Sequence, residues 1–464
     1  MDFKAAAAAT KEEVHGVVIV GGGLCGLATA LALRRKGIES LVVERSEALR
    51  VGGVALNVHA NGWRALEELG LADGLRETAN LITSVRMVRQ IQGKNQTIVS
   101  PARKEIRCLR RKDVVEALAN SVPGHMIRYG CRIVAVDQDP GTNYAVLTMA
   151  DGNTIKAKVV IGCDGWNSVV AKYLGLGLPS QLPRFIVLGF ASYPEGHPFG
   201  TEFSQIIADD FAVGRAPVNE NLVHFFVSRS PSPGSTDVDE DAARKYVLEK
   251  VDELPDDIAD MVRRCDAASS WTLTKVWYRS PWQVALAGFR RGAATVAGDA
   301  MHAMGPFIGQ GGSAGLEDAV VLARSLSSSS SSRSELSGGG GDGRPPDVAD
   351  DEVARREARG GSAGLEDAVV LARSLSSSSG AVLSGGGGDG RPPASRLLRD
   401  DVGAAIDEYV AERRRRVTAL CLHSFAIGTL LTTRWLAVKL GCVAVLALLG
   451  GDSRRDVDYD CGRL

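Results

Sequence analysis

A chain of 464 residues with 45% hydrophobic and 23% charged residues can bury a large core and has room for more than one domain. Its formal net charge of -1 provides no basic field for nucleic acid or another polyanion. The eight cysteines show no CxxC spacing and the seven histidines do not gather with them, which argues against a zinc site or a disulfide framework and for reduced intracellular thiols.

Met1 to Lys11 is Ala-rich, without an apolar signal core or the Arg/Ser richness of a transit peptide. The expected compartment is the cytoplasm, with a chloroplast address as the alternative. Residues 14–50 then read as strand, glycine turn, helix, strand. Val17 to Val20 is a β-branched run suited to a parallel strand buried on both faces. Leu24 to Arg35 carries helical spacing and stops at Gly37, and Leu41 to Val43 is the second strand.

The turn between them, Gly21-Gly22-Gly23-Leu24-Cys25-Gly26, is a GxGxxG formed by Gly21, Gly23 and Gly26. Such a turn lets backbone approach a pyrophosphate at a helix N-terminus, while its last glycine lets helix and strand pack closely. Glu44 ends the second strand 18 residues after Gly26, where a carboxylate accepts hydrogen bonds from ribose hydroxyls. Arg45, beside it, joins the candidate cofactor-binding set. These features together predict a dinucleotide site.

Arg111 opens a helix through Leu118, and an arginine there can reach a pyrophosphate or a ribityl chain; a solvated basic patch with Arg107, Arg110 and Lys112 is the competing reading. Strands follow within residues 129–161, and Gly162-Cys163-Asp164-Gly165 comes directly after the last of them. Residues 183–290 mix strands with Pro-, Gly- and Ser-rich turns and predict a mostly antiparallel sheet with a helix near Asp241 to Lys250. Val296-Ala297-Gly298-Asp299 then presents Asp299 from a short strand. Pro306, Gly309, Gly311 and Gly312 form a glycine-rich turn into a helix from Leu316 to Leu326. Backbone N–H groups in such a turn can face the electron-rich side of a flavin.

Gly312 to Leu326 recurs letter for letter at Gly361 to Leu375, and Ser337 to Pro346 recurs at Ser384 to Pro393. Two identical copies among Ser and Gly tracts read as a duplicated, flexible insert rather than a solenoid. The second copy has no Gly-Asp strand before it, so the chain should hold one flavin. Trp435 to Leu449 is apolar but interrupted by Lys439 and short of the roughly 20 residues a membrane span needs, which predicts a buried or interfacial helix.

In this order the motifs resemble the class A FAD-dependent monooxygenases, the group of para-hydroxybenzoate hydroxylase and zeaxanthin epoxidase. Asn61-Gly62-Trp63, Gly162-Cys163-Asp164-Gly165, Gly298-Asp299-Ala300-Met301-His302 and Tyr459-Asp460-Cys461-Gly462 are similar to the plant subgroup. The resemblance implies an α/β fold: a Rossmann-like, GR2-type FAD-binding domain, a mostly antiparallel substrate-domain sheet and a C-terminal helical segment. The corresponding boundaries are 14–182 for the first part of the FAD domain, with interleaved substrate-domain strands, and 183–290 for the substrate domain. Residues 291–326 form the flavin part, 327–400 the insert and 401–464 the C-terminal helices.

The resemblance further implies that Gly21, Gly23, Gly26 and Glu44 hold the ADP half of FAD and that Arg111 contacts the FAD chain. Asp164 and Gly165 belong to a motif associated with FAD and NAD(P)H, Asp299 holds the ribityl, and Pro306 to Gly312 line the isoalloxazine. NAD(P)H would be a transient co-substrate. A small hydrophobic or aromatic molecule would be hydroxylated or epoxidised with O₂ through a flavin C4a-hydroperoxide, with no catalytic side chain and no metal. Two departures stand out: Ala171 replaces the arginine that commonly ends the Asp-Gly motif, with Lys172 adjacent, and Ser313 replaces a common asparagine. His302 and the run Arg413 to Arg416 read as packing or solvated positions. The alternatives are a flavin-binding protein without turnover because of the insert, and a membrane-bound flavin reductase anchored by Trp435 to Leu449.

Overall fold

The computed structural model describes residues 13–91, 94–208, 211–229, 245, 247–249, 251–265, 271–327, 401–433, 435–448 and 454–464. The duplicated segment beyond Ser327 and most of the helix expected at Asp241 to Lys250 lie outside the described residues.

The β-branched run after Gly16 forms the centre of an eight-stranded sheet. Glu13–Val20 lies parallel between Leu41–Val43 and Thr154–Gly162, and Thr154–Gly162 has Ala294–Val296 parallel on its far side. Val17, Val18 and Ile19 are at most 1% exposed, as both faces of this parallel core are covered. Ile133–Gln138 and Ala145–Met149 attach as an antiparallel pair to Thr154–Gly162. The Leu24–Arg35 helix packs against the Gly311–Leu326 helix, which begins five residues earlier than the sequence pattern indicates.

A seven-stranded sheet runs in the order Thr272–Tyr278, Ser180–Ser192, Leu222–Arg229, Phe211–Pro217, Glu202–Ile207, Ser84–Ile91, Lys94–Pro101. Its pairings are antiparallel except that between Glu202–Ile207 and Ser84–Ile91. Ser84–Ile91 and Lys94–Pro101 thus join this sheet from well before its other strands in sequence. One face buries Val187, Val213, Phe225 and Val227 against Ile258, Met261 and Val262 of the Asp256–Arg264 helix, a helix the sequence reading did not anticipate. On the opposite face, Phe190 and Leu222 pack with Ala55 and Ile106 of a two-stranded ribbon, Ala55–His59 with Ile106–Arg110, which ties the two sheets together.

His224 sits in this sheet, 6% exposed, bonded through Nδ1 to the Gly189 carbonyl at 3.0 Å. Burial lowers its pKa to about 4, against a smaller upward pull from that carbonyl. An unfolded chain binds this proton near the ordinary histidine value and the folded chain only near 4, so stability falls as pH drops through that window. The expected loss from His224 is at most about 3 kcal/mol. Urea unfolding at about pH 7 and about pH 4.5 should show it, and His224→Gln should reduce the difference. An unchanged pH dependence in the variant would remove His224 as its source.

The 31-residue Val402–Thr432 helix, capped by the Asp401 carboxylate accepting from Ala404 N at 2.9 Å, packs on the Gly311–Leu326 helix. The Leu436–Leu448 helix follows it, and it is largely exposed rather than buried. Among the described residues no helix is long and apolar enough to cross a membrane.

Candidate active site

Strand register brings the motifs together. Val20 pairs with Gly162 and Gly162 with Val296, so Gly21, Cys163-Asp164 and Gly298-Asp299 leave the carboxyl ends of three adjacent parallel strands. Ligands bind in such crevices because the strand ends open between helices on either face of the sheet. Here the crevice is a cleft of about 780 Å³. Of the sequence-predicted residues, Gly21, Gly23, Glu44, Arg45, Arg111, Asp164, Gly165, Asp299, Gly311 and Gly312 line it. Gly26, Pro306 and Gly309 do not.

The three glycines of the first turn differ in what they permit. Gly21 has φ +106°, and a Cβ there would meet the Cys163 carbonyl oxygen at 2.5 Å. A Cβ on Gly26 would lie 1.9 Å from the Gly21 oxygen, so its absence is what lets the helix approach the strand. At Gly23 nothing lies within 4 Å, and the space above it belongs to the cleft. The Leu24–Arg35 and Gly311–Leu326 helices both begin at this cleft without a side-chain cap and without an acidic residue in the first turn. Their free N–H groups and positive dipole ends favour an anion or an electron-rich ring.

Glu44 is turned into the glycine loop: Oε2 accepts from Gly22 N at 2.7 Å and Oε1 from Ser46 N at 3.0 Å. Burial pushes its carboxyl up, but these N–H bonds and nearby Arg50 outweigh it and bring the pKa below the usual value. It is therefore charged at neutral pH. Asp164 Oδ2 accepts from Val169 N at 2.7 Å, while its Oδ1 is buried without a partner. Burial raises the Asp164 pKa. The Arg111 guanidinium bonds the Gly52 carbonyl in a loop where Gly53, at φ +98°, makes room for its side chain.

Asp299 is exposed into the cleft; desolvation between the cleft walls raises its pKa while His302 and Arg111 draw it back. Pro306 begins a short turn ending at Gly309, whose φ is +64° and where a Cβ would meet His59 Nε2 at 3.0 Å.

Arg50, Cys131 to Val134, Trp166 and Lys172 also line the cleft and were not anticipated as site residues. Lys172 places a cation there, whereas Ala171, its neighbour, is 1% exposed. Nothing in the local sequence marks Cys131 to Val134, which arrive through sheet pairing alone.

Beneath the Gly298-Asp299 turn lies a charged network whose centre, Arg413, Glu317, Asp318 and His302, is fully buried, with Arg416 at its edge pairing with Glu317 at 3.0 Å. Arg413 pairs with Glu317 at 2.7 Å and Asp318 at 2.6 Å. Asp318 Oδ2 also accepts from His302 Nε2 at 2.6 Å and Gly298 N at 2.7 Å. Burial alone would raise the Asp318 pKa, but His302 and Arg413 hold it well below the carboxylate range. Glu317 further accepts from Asn61, which also bonds Gln310 at the start of the glycine helix. The network thus fixes both Gly298-Asp299 and the helix start at Gly311. An acidic pair inside an apolar helix was the available signal for it, with Arg413 to Arg416 as the matching charges.

The donor set fits the group that the motifs imply. An unpartnered buried carboxylate oxygen at Asp164, open space over Gly23 and two uncapped helix ends face one elongated cleft.

Comparison with known proteins agrees with this geometry. The FAD binding domain family model matches residues 15–335. "Monooxygenase 1" of Arabidopsis thaliana is 39% identical over 458 residues, covering 98% of this chain and 100% of that protein. The "FAD-dependent urate hydroxylase" of Mycolicibacterium vanbaalenii is 27% identical over 66% of this chain and 78% of that protein. Among solved structures, Klebsiella pneumoniae HpxO complexed with FAD and uric acid shares the fold, with a TM-score of 0.67 at 19% identity over 96% of each chain. With FAD as its cofactor and an α/β FAD-binding fold, this chain belongs to the class A FAD-dependent monooxygenases.

Proposed function

We propose that this enzyme uses NAD(P)H and O₂ to hydroxylate or epoxidise a small hydrophobic or aromatic molecule. The observation that carries the reading is the convergence of three separated motifs on adjacent strand ends around one cleft. Bound FAD supplies hydride acceptance and activation of O₂. The protein's own groups bind, orient and exclude water.

In this reading Gly21, Gly23 and Gly26, with the start of the Leu24–Arg35 helix, receive the pyrophosphate. Glu44 and Arg45 hold the ribose end, and Arg111 and Asp299 hold the ribityl chain. Asp164 and Gly165 shape the wall between them, and Pro306, Gly309, Gly311 and Gly312 border the ring. On the substrate side, Phe190 pairs across the strands with His224, and Phe226 stands two residues further on the same face. That face packs toward the ribbon carrying Asn57 and His59, whose Oδ1 and Nδ1 are buried without partners. An aromatic wall with a few unpaired polar atoms suits a flat ring bearing one or two hydrogen-bonding groups.

The test follows NADPH or NADH consumption, O₂ uptake and product mass with a panel of small aromatic compounds. Substrate-stimulated consumption with a product one oxygen heavier is the expected result. Yellow protein that never oxidises either nicotinamide would instead mark flavin binding without turnover.

Gly23→Ala tests the pyrophosphate assignment. Because no protein atom approaches that position, the apoprotein should unfold at the same denaturant concentration as the parent. FAD affinity should drop about tenfold or more, since the methyl enters the cleft. Unchanged FAD affinity would place the pyrophosphate elsewhere.

A further inference from the structure

The Leu436–Leu448 helix exposes an apolar stripe that the oxygenation chemistry does not use. Leu436, Leu440, Val443 and Ala447 follow helical spacing along one face, and Leu436, Leu440 and Val443 are 71%, 60% and 53% exposed. Trp435, 78% exposed, stands immediately before the helix. Elsewhere the helix packs against the Val402–Thr432 helix, and Cys442 is buried. Side chains of this size left in water cost free energy unless something covers them.

Charge and chemistry select the cover. No Asp or Glu occurs between Glu412 and Asp452, while Arg434 and Lys439 lie within or beside the apolar stretch. The exposed stripe is also poor in hydrogen-bonding side chains, whereas a protein partner's interface requires about one hydrogen bond per 100–200 Å². A 13-residue helix is about 20 Å long, short of the roughly 30 Å hydrocarbon layer, so it can lie along a bilayer surface but not cross it.

We propose that the Trp435–Leu448 segment docks this enzyme on an anionic lipid surface, with its stripe in the acyl boundary and its basic residues at the headgroups. Indole at the headgroup level and a lysine reaching back to phosphate are the arrangement such a helix adopts.

Flotation of the full-length holoenzyme with phosphatidylcholine vesicles, with and without phosphatidylserine, tests this, reading flavin absorbance in the fractions. The enzyme should float with the phosphatidylserine vesicles and much less with phosphatidylcholine alone or in high salt. Leu436→Glu/Leu440→Glu should weaken vesicle binding about tenfold or more. Lys439→Gln should weaken it about fivefold, the effect of one basic residue near an anionic surface. Thermal unfolding and flavin content should stay at parental values in both variants. Three results would overturn the proposal: no flotation of the parent enzyme; a parental dimer that the double variant turns into monomer without any lipid binding; or unfolding of the double variant at markedly lower temperature, which would mean the chain itself covers the stripe.

Discussion

Replacing Arg413 by alanine is expected to destabilise the fold by about 3–5 kcal/mol, the largest single-residue stability effect anticipated in this protein. The guanidinium is fully buried between Glu317 and Asp318, both of which are also fully buried. Removing it leaves two buried carboxylates close together with Arg416 as the one remaining arginine beside them, and neither can regain water. Asp318 would keep His302 and Gly298 N as partners and Glu317 would keep Asn61 and Arg416, so the cost is that of one carboxylate charge left unneutralised. Urea unfolding of purified protein measures the loss. Combining Arg413→Ala with Glu317→Gln should recover part of it, because the second change removes an uncompensated charge. A loss below about 1 kcal/mol would mean that water reaches the network and that the ion pairs behave like surface ones.

The second large effect is expected at Asp299, where function and stability should move in opposite directions. Asp299→Ala should release FAD during purification, with affinity lowered about ten- to a hundredfold by loss of a charge-assisted hydrogen bond. The apoprotein, however, should unfold at an equal or higher urea concentration. Desolvation between the cleft walls and the neighbouring Asp318 raise the Asp299 pKa, so its charged form adds no stability to the apoprotein. A raised folded pKa means that this contribution turns unfavourable as pH rises above the unfolded carboxylate value, and alanine removes it. Flavin content by absorbance and apoprotein unfolding together read both halves. A variant that keeps its flavin would show that Asp299 is not a cofactor contact. One that loses flavin only because the fold collapses would show a structural role.

These two positions also illustrate what was readable in advance. Asp299 was legible because its signal is local: a short strand, a glycine and an acid, followed by a glycine-rich turn. The same holds for Gly21 to Glu44, where strand, turn, helix and strand follow within one continuous stretch. Arg413 was not legible as a core residue. In the sequence it is one of four consecutive arginines, and such a run normally faces water. Only the packing of the Val402–Thr432 helix against Gly311–Leu326 turns that arginine, with Arg416 at its edge, toward Glu317 and Asp318. His302, readable as a packing residue, is indeed fully buried, but its partner Asp318 lies on another helix.

Local pattern by itself determined the elements whose physics is short-range: the buried parallel strand, the glycine turn, the carboxylate closing the second strand and the duplicated low-complexity insert. It also separated one complete flavin-side motif from a second copy lacking the strand before it. Tertiary structure alone decided the partners that are distant in sequence. It paired Ser84–Ile91 with Glu202–Ile207, brought Cys131 to Val134 and Lys172 to the cleft wall, and buried a charged network under Asp299. It also left the stripe at Leu436, Leu440 and Val443 facing outward. The reason is physical: turn geometry and helical spacing act over a few residues and leave a local signature. Burial and ion pairing depend on which surfaces meet, and a linear sequence does not contain that until the chain has folded.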